Sequence, residues 1–419
     1  MQQYDSYKDS GVKWLGEIPS HWELCRFKNL VSLVTTPSND RNKIGLENIE
    51  SGSGKFTQTD NEFEGNGVHF QVNDVVYGKL RPYLQKVWLA TFSGNAVGDF
   101  FVFRVNNRVV EKYLQYLMLS RCFTDDVNAS TYGAKMPRVS SEYILTMRCT
   151  VPSKDEQIKI VTYLDTATAK IDAAIAQQQK MIDLLNERKQ IIINRTVTRG
   201  LNPNVKMKDS GVEWIGEVPE EWEVRRLKHL LKANLMYGAN ESAESEVESY
   251  PRYIRITDID EDGKLRPDTF RSLPPAKAEP YLLKKGDLLF ARSGATAGKT
   301  YLFNENIKAC FAGYLIKASL KETLLPEYLN YYTKSGIYAN WKKSIFIQAT
   351  IPNIGAEKYA NLQITLPSIK EQEDIVKHLD VETGKINQVV RNCEKQISLL
   401  QERKQIIINE VVTGKVKVV

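Results

Sequence analysis

The stretch Ser293–Thr300 has the residue types of a phosphate-binding loop and reads Ser-Gly-Ala-Thr-Ala-Gly-Lys-Thr. Such a loop needs a glycine, four further residues and then Gly-Lys-Ser or Gly-Lys-Thr, with a helix starting behind it. Here Ser293 stands where the first glycine is required, because Gly294 falls one residue short, and a strand-like run starts at Tyr301. The pattern favours a tight glycine-rich turn, or a loop that meets DNA phosphates, over a nucleotide site.

Residue patterns for catalysis are missing elsewhere in the sequence. Nuclease chemistry needs carboxylates clustered around a metal, and Pro267-Asp268 is not followed by the Glu-x-Lys or Asp-x-Lys that would complete such a motif. There is no Asn-Pro-Pro-Tyr/Phe methyltransferase signature and no nucleophile elbow in a strand–turn–helix context. The 5 cysteines and 4 histidines are scattered, which argues against a zinc site or a disulfide framework. We therefore predict a chain without catalytic residues, metal or cofactor of its own.

Basic and amide side chains gather at predicted loops in both halves of the chain. In the first half the candidates for nucleic-acid contact are Lys79, Arg81, Tyr83, Lys135 and Arg138. In the second half they are Arg292, Ser293, Lys299, Gln348, Thr350 and Asn353. Lysine and arginine can hold phosphates or read guanine, whereas asparagine and glutamine can read adenine. The alternative interpretation is that these are ordinary solvated loop side chains.

These two sets of candidates belong to two copies of one pattern. The head Asp-Ser-Gly-Val-x-Trp-x-Gly-Glu-x-Pro occurs at 9–19 and again at 209–219. Residues 187–194 return unchanged at 402–409, an offset of 215. Repeats in the same order predict a duplicated structural unit, here with a head, a variable middle and a similar tail.

The tails predict two long amphipathic helices. Residues 154–196 contain neither glycine nor proline, and apolar residues recur there at heptad spacing. The predicted seam consists of Val161, Leu164, Ile171, Ile175, Ile182, Leu185 and Ile192 in the first copy, and of Val376, Leu379, Ile386, Val390, Ile397, Leu400 and Ile407 in the second. Lys189 and Lys404 interrupt it, and they either fix the register or face solvent. Gly384 argues against an unbroken second helix. The simplest partner for each stripe is the other copy, which predicts an antiparallel coiled coil.

The predicted fold class is α+β, with two tandem domains of mixed strand and helix separated by two long repeated helices. The expected boundaries are 1–150 for the first domain (head motif 8–24), 151–200 for the first helix, 201–365 for the second domain (head motif 208–224) and 366–419 for the second helix. Short strands are expected at 75–77, 100–103 and 288–290, and short helices at 111–120 and 326–334.

Composition sets further bounds on function. The 57 basic and 51 acidic residues give a net charge of +6, which is compatible with nucleic acid but too small to indicate it alone. No apolar run is long enough to span a membrane, and the N-terminus lacks the features of a signal peptide. We expect a cytoplasmic protein that does not contact a membrane.

The ordered duplicate resembles the specificity subunit of a type I restriction–modification system over essentially the whole chain. No single motif carries the resemblance. It rests on the heads at 9–19 and 209–219, the segments 73–84, 286–294 and 349–354, the Pro-Ser…Glu-Gln starts of the tails and their Glu-Arg-Lys-Gln-Ile-Ile-Ile endings.

The resemblance implies a non-enzymatic reader of double-stranded DNA. Each variable domain would be a target-recognition domain for one half of a bipartite target, and the paired helices would set the spacer between the halves. Two methyltransferase (modification) subunits would dock on the helices, and restriction/translocase subunits would join them. S-adenosylmethionine, ATP and magnesium would belong to those partners.

Two other functions compete with this interpretation. The chain could be a coiled-coil scaffold that binds only proteins, without direct DNA readout, or a nucleotide-dependent enzyme that uses residues 293–300. Stacking of Trp14, Trp22, Trp214 and Trp222 on bases is also conceivable. These tryptophans lie in the most similar part of the two copies, whereas a sequence reader should vary where it reads, so packing is the favoured role.

Overall fold

The chain forms two units in the computed structural model, which describes residues 2–38, 40–260, 263–346 and 352–418. Unit 1 comprises Met1–Gln179 and Cys393–Val419, and unit 2 comprises Lys180–Asn392. Unit 1 is therefore assembled from both ends of the chain, whereas unit 2 is one continuous segment.

Unit 1 contains twelve described strands and three short helices, and the first long helix begins in it. The strands are β1 (Tyr7–Asp9), β2 (Glu17–Pro19), β3 (Glu23–Arg26), β4 (Val31–Val34), β5 (Pro37–Ser38), β6 (Lys43–Ile44), β7 (Gly67–Phe70), β8 (Val75–Gly78), β9 (Val87–Leu89), β10 (Gly94–Val97), β11 (Phe100–Val105) and β12 (Arg148–Val151). The helices are α1 (Glu111–Leu119), α2 (Arg121–Ala129), α3 (Ser141–Thr146) and the long α4 (Lys154–Arg199).

Two four-stranded sheets of unit 1 enclose its cores, in the orders β4-β11-β8-β9 and β5-β7-β10-β6. Successive side chains of a strand point to opposite faces. Val75 and Tyr77 of β8 accordingly enter one apolar cluster and Val76 enters another. Burial on both faces explains why this strand is a continuous apolar run and not an alternating one.

Unit 2 repeats this arrangement with different side chains. Its described strands are β13 (Met207–Asp209), β14 (Glu217–Pro219), β15 (Glu223–Arg226), β16 (Met236–Tyr237), β17 (Arg252–Ile254), β18 (Asp287–Ala291), β19 (Thr300–Phe303), β20 (Ala309–Phe311), β21 (Leu315–Ala318) and β22 (Gln363–Leu366). Its helices are α5 (Pro275–Ala278), α6 (Pro326–Tyr332), α7 (Gly336–Phe346), α8 (Ala356–Ala360) and the start of the long α9 (Ile369–Val412). The sheet β16-β21-β18-β19 corresponds to β4-β11-β8-β9.

The two long helices pack against each other in both units. In unit 1 the first part of α4 meets the last part of α9, and Leu164, Ile171 and Ile407 enter one core. In unit 2 the last part of α4 and the first part of α9 share a core that includes Ile193 and Leu379. These pairings are antiparallel, which confirms the predicted coiled coil and α+β fold class.

The predicted seam residues of both helices are buried or half-buried. Gly384 does not interrupt α9, and its position on the helix is exposed, with nothing close to an added Cβ. A glycine at this exposed position lowers the stability of the helix only through its low helix propensity, by about 1 kcal/mol relative to alanine.

The C-terminal end of each long helix closes a unit through a buried hydrogen bond. In unit 1 the Tyr113 hydroxyl donates to the carbonyl of Val412 at 3.3 Å. In unit 2 the Tyr328 hydroxyl donates to the carbonyl of Val197 at 3.4 Å. Tyr113 and Tyr328, like Val197 and Val412, lie 215 residues apart, so both copies use the same closure.

Candidate nucleic-acid interface

Two loops of unit 1 that carry predicted contact residues run side by side. One follows β8 and holds Lys79 and Arg81, and the other precedes α3 and holds Arg138. The amide of Arg81 donates to the carbonyl of Pro137 at 2.7 Å, and the amide of Val139 donates to the carbonyl of Lys79 at 3.2 Å. Residues 79–81 and 137–139 are called the reader loops of unit 1 below.

The reader loops of unit 1 carry more positive than negative charge. Arg138 donates from Nη2 to Oδ2 of Asp99 at 3.0 Å, and Lys79 Nζ lies 3.8 Å from Oδ1 of the same carboxylate. The hydrogen bond to Asp99 raises the pKa of Arg138, so the guanidinium stays charged. Arg81 is exposed, and so is Lys135 beside these loops. Cations in this arrangement suit DNA phosphates or guanine edges.

Arg81 has a strained backbone, with φ of +50°. A non-glycine residue in the left-handed region costs about 1 kcal/mol or more and is typical of functional sites. The equivalent residue of unit 2 is Gly294, with φ of +75°, which adopts this conformation without strain. Unit 1 therefore keeps an exposed arginine where the backbone favours glycine. Nearby, Tyr83 and Tyr132 are 53% and 61% exposed, and such rings are able to stack on bases.

Unit 2 builds the same frame from different residues. The amide of Gly294 donates to the carbonyl of Pro352 at 3.2 Å, and the amide of Ile354 donates to the carbonyl of Arg292 at 2.7 Å. A bridge pairs Ser293 with Asn353, as Leu80 pairs with Arg138 in unit 1. Residues 292–294 and 352–354 are called the reader loops of unit 2.

A third hydrogen bond completes the correspondence between the two frames. The amide of Lys79 donates to the carbonyl of Asp99, and the amide of Arg292 donates to the carbonyl of Tyr314, both at 2.9 Å. Matching backbone bonds thus equate Lys79 with Arg292 and Arg138 with Asn353. The scaffold is conserved between the copies, while the side chains that it presents differ in charge and hydrogen-bonding capacity.

The predicted residues of unit 2 lie in a less charged environment. The Arg292 guanidinium packs over the ring of Tyr237 at 5.0 Å, a cation–π contact, and Asn353 is exposed. Gln348 and Thr350 lie outside the described residues, so their predicted contacts stay predictions.

The glycine-rich stretch is a turn between two antiparallel strands. It joins β18 to β19, and the chain continues as a strand after Lys299, so no helix N-terminus faces the loop. Lys299 donates from Nζ to the carbonyl of Ile259 at 3.0 Å. The equivalent Lys86 donates to the carbonyl of Ile49 at 2.8 Å. In both copies this lysine holds two backbone segments together, whereas the lysine of a phosphate loop reaches the β- and γ-phosphates of the nucleotide.

The head tryptophans are packed in the interior or partly covered. Trp22 is 0% exposed and donates from Nε1 to Glu156 at 3.0 Å. Trp222 is 2% exposed and donates to Glu371 at 2.9 Å. Trp14 and Trp214 are half-buried. The two buried indoles fix the path of the head against the start of each long helix.

Three residues beside the reader loops were not predicted from the sequence, namely Asp99, Tyr237 and Tyr314. Asp99 partly neutralises Lys79 and Arg138, Tyr237 holds Arg292, and Tyr314 is 68% exposed at the position equivalent to Asp99. The repeat did contain a signal for two of them, since Gly98-Asp99 and Gly313-Tyr314 also lie 215 residues apart.

The described residues contain no group of three or more His, Cys, Asp or Glu side chains that could hold a metal ion. Within the same residues, every helix is too short or too polar to cross a membrane.

Comparison with known proteins connects this chain with DNA specificity proteins. Residues 219–395 match the family described as "Type I restriction modification DNA specificity domain". The "Type I restriction enzyme MjaVIII specificity subunit" of Methanocaldococcus jannaschii is 22% identical over 440 residues, which cover 98% of this chain and 97% of that protein. The "Type I restriction enzyme EcoDI specificity subunit" of Escherichia coli is 28% identical over 190 residues, or 41% of this chain and 42% of that protein.

One solved structure has the same fold. It is described as "Structural basis underlying complex assembly and conformational transition of the type I R-M system". The two chains superpose with a TM-score of 0.72 at 17% identity, covering 95% of this chain and 99% of that chain. At this identity the likeness supports the duplicated α+β architecture.

Proposed function

Because this chain belongs to the type I restriction–modification DNA specificity family, we propose that it selects the DNA sequence on which such a complex acts. Each unit reads one half of a bipartite, asymmetric target in double-stranded DNA. The chain acts by binding and not by catalysis.

The observation that carries this proposal is the pair of matching frames with different side chains. A reader of two unlike half-sites needs the same presentation of side chains in both units and different chemistry at their tips. Lys79 and Arg138 in unit 1 correspond to Arg292 and Asn353 in unit 2. Arginine matches the guanine edge and asparagine the adenine edge, so the copies are expected to prefer different bases.

The long helices supply the second part of the function. We propose that they set the unspecified spacer between the half-sites and dock two methyltransferase subunits, with restriction/translocase subunits joining the complex. S-adenosylmethionine, ATP and magnesium belong to those partners, and this chain binds none of them for catalysis. The complex acts in the cytoplasm, where it meets DNA.

Mapping of methylated sites tests the proposal directly. Cells that carry this chain and its methyltransferase should methylate a two-part motif with an unspecified spacer. Replacing residues 25–150 by the corresponding segment of another specificity subunit should change one half of that motif and leave the other half and the spacer intact.

A continuous motif, or a replacement that changes neither half, would contradict the proposal. The second result would favour a scaffold that binds only proteins.

A further inference from the structure

Unit 2 contains a cleft of about 820 Å³ beside the glycine-rich turn, and among the described residues its charged lining has more basic than acidic side chains. Four lysines line it, namely Lys189 of α4, Lys299 of the glycine-rich turn, Lys334 of the turn after α6, and Lys342 of α7. Two carboxylates, Asp260 and Glu305, also line it. A cleft of this size accommodates a small molecule and is too small for duplex DNA.

Unit 1 shows what this region looks like without the cationic wall. The offset of 215 equates Lys334 with Leu119 and Lys342 with Val127, which are 2% and 0% exposed. The equivalence holds in three dimensions, because the intervening helix start is capped by Ser120 in unit 1 and by Ser335 in unit 2 in the same way. Two buried apolar side chains of unit 1 are therefore lysines in unit 2.

A third exchange removes negative charge from the same wall. In unit 1, Asp172 accepts from Lys404 at 2.7 Å and lies 2.8 Å from Nζ of Lys55. The equivalent of Asp172 in unit 2 is Asn387, which accepts from Lys189 at 3.0 Å. The amide satisfies one hydrogen bond of the ammonium group but leaves its charge uncompensated.

The space itself also differs between the copies. In unit 1 the Gln85 side chain enters this region and donates from Nε2 to the carbonyl of Leu119 at 3.2 Å and to Thr124 Oγ1 at 2.9 Å. The equivalent residue in unit 2 is Gly298, and the Lys342 stem crosses the place where its Cβ would be. The glycine at this position thus lets the Lys342 side chain pass beside the turn.

Three of the four cleft lysines have no carboxylate within ion-pair distance in the part of the chain that the structure describes. Among the residues that the structure describes, Lys189, Lys299 and Lys342 form no ion pair within 4.0 Å. Burial lowers the pKa of Lys342, which is the expected effect on a cation that has lost part of its hydration. A bound anion would restore the lost stabilisation.

We propose that the cleft of unit 2 binds a small ligand with several phosphate groups, about the size of a nucleoside triphosphate. Lys189 and Lys342 provide the binding groups, as ammonium donors to phosphate oxygens. The glycine-rich turn forms one wall, and its backbone does not wrap a phosphate as a nucleotide-binding loop does. The site is separate from DNA readout, so it goes beyond the function proposed above.

Calorimetric titration of the purified full chain tests this inference. Inorganic triphosphate and ATP are the probes, in the absence of DNA. We expect one saturable site, with ATP and triphosphate competing for it. Asn387→Asp introduces the carboxylate that unit 1 has at this position, and Lys342→Gln removes one ammonium group. Each variant should raise the Kd about tenfold, which is the loss expected for one hydrogen bond between charged groups. Lys342→Arg should retain binding.

Matched variants of unit 1 serve as controls. Lys404→Gln and Asp172→Asn alter the equivalent positions of the other copy and should leave the Kd unchanged. Circular dichroism melting identifies any variant that fails to fold.

The inference is overturned if neither probe binds, or if binding is equal in all variants. It is also overturned if neither small probe depends on Lys342 for binding but duplex DNA does. In that case the lysine would bind phosphates of the DNA target and not of a small ligand. None of these outcomes affects the methylated motif, so failure of this inference is distinguishable from failure of the proposed function.

Discussion

Lys404 donates a hydrogen bond from Nζ to Oδ1 of Asp172 at 2.7 Å, joining α9 to α4 in unit 1. The equivalent pair in unit 2 is Lys189 and Asn387, at 3.0 Å. A polar pair within an apolar seam fixes the register, because a shifted helix would leave the ammonium group without its acceptor. The lysines that interrupt the predicted seam are thus paired between helices and not simply solvated.

Asp172→Asn should lower the free energy of unfolding at neutral pH by about 1 kcal/mol, a low value for a hydrogen bond to a charged group because Asp172 is partly exposed. Burial alone would raise the pKa of Asp172, but Lys404 and Lys55 outweigh it and lower the pKa below its ordinary value of 3.8. The stability that the ionised Asp172 contributes is fully present at pH values above 3.8, the ordinary pKa of the group. It is lost as the pH falls through the lower pKa of the folded state.

Urea unfolding from neutral pH to about pH 3 measures this effect. The difference between wild type and Asp172→Asn should close on acidification. Asn387→Ala, at the neutral counterpart, should show no such closing, and a constant difference for Asp172→Asn would refute the explanation.

Glu156→Ala should destabilise the chain more than Glu371→Ala. Glu156 accepts from the buried Trp22 indole at 3.0 Å and from the Tyr4 hydroxyl at 2.7 Å, whereas Glu371 accepts from Trp222 at 2.9 Å. Leaving buried donors unsatisfied costs about 1–3 kcal/mol each, so we expect about 3 kcal/mol for Glu156→Ala and about 1.5 kcal/mol for Glu371→Ala. Denaturant unfolding checks the order, and equal losses would exclude the role assigned to Tyr4.

Asp99→Asn should increase the affinity of the chain for duplex DNA. The substitution removes the carboxylate that holds Arg138 and Lys79 and frees both cations for phosphates. Fluorescence anisotropy at several salt concentrations should show tighter binding and a steeper salt dependence. Tyr314→Phe, at the equivalent position of unit 2, is the control and should leave the salt slope unchanged. Weaker binding by Asp99→Asn would show that the carboxylate itself supports DNA contact.

Arg138→Ala and Asn353→Ala should relax the base preference of different halves of the target. The two side chains occupy equivalent positions in different units, and each lost base contact should reduce discrimination about tenfold at one position. Sequencing of methylated sites in cells that carry each variant gives the readout. A change in the same half for both variants would contradict the assignment of one half to each unit.

The isolated chain should bind its target weakly and with little specificity. Its net charge of +6 is modest for a DNA-binding protein of 419 residues, because 51 acidic residues offset the 57 basic ones. We expect binding to tighten when the methyltransferase is added. Tight, specific binding by the purified chain alone at physiological salt would disprove this.

The helices and short strands could be predicted because their signals are local. The heptad spacing predicts α4 and α9, and the continuous apolar runs at 75–77 and 288–290 predict β8 and β18. The repeat added the antiparallel pairing, since two similar stripes in one chain are each other's simplest partners.

The candidate site was harder to predict from the sequence, because its contacts join residues that lie far apart in the chain. Asp99 meets Arg138 only after β11 and the second loop come together. Lys55 reaches Asp172 only because the loop that carries it folds onto α4. No local pattern encodes such contacts. Comparing the two copies position by position recovers part of this information, as the exchange of Asp172 for Asn387 shows.

The closure of unit 1 by Val412 has a consequence for the order of folding during synthesis. Unit 2 is continuous and closes on Val197, so all of its residues have been translated before Cys393 is made. Unit 1 begins before unit 2 in the chain but needs the carbonyl of Val412, which is translated after all of unit 2. Domains usually mature on the ribosome from the N-terminus onward. In this protein unit 1 must therefore wait for the C-terminal part of α9, whereas unit 2 can be complete before that part is made.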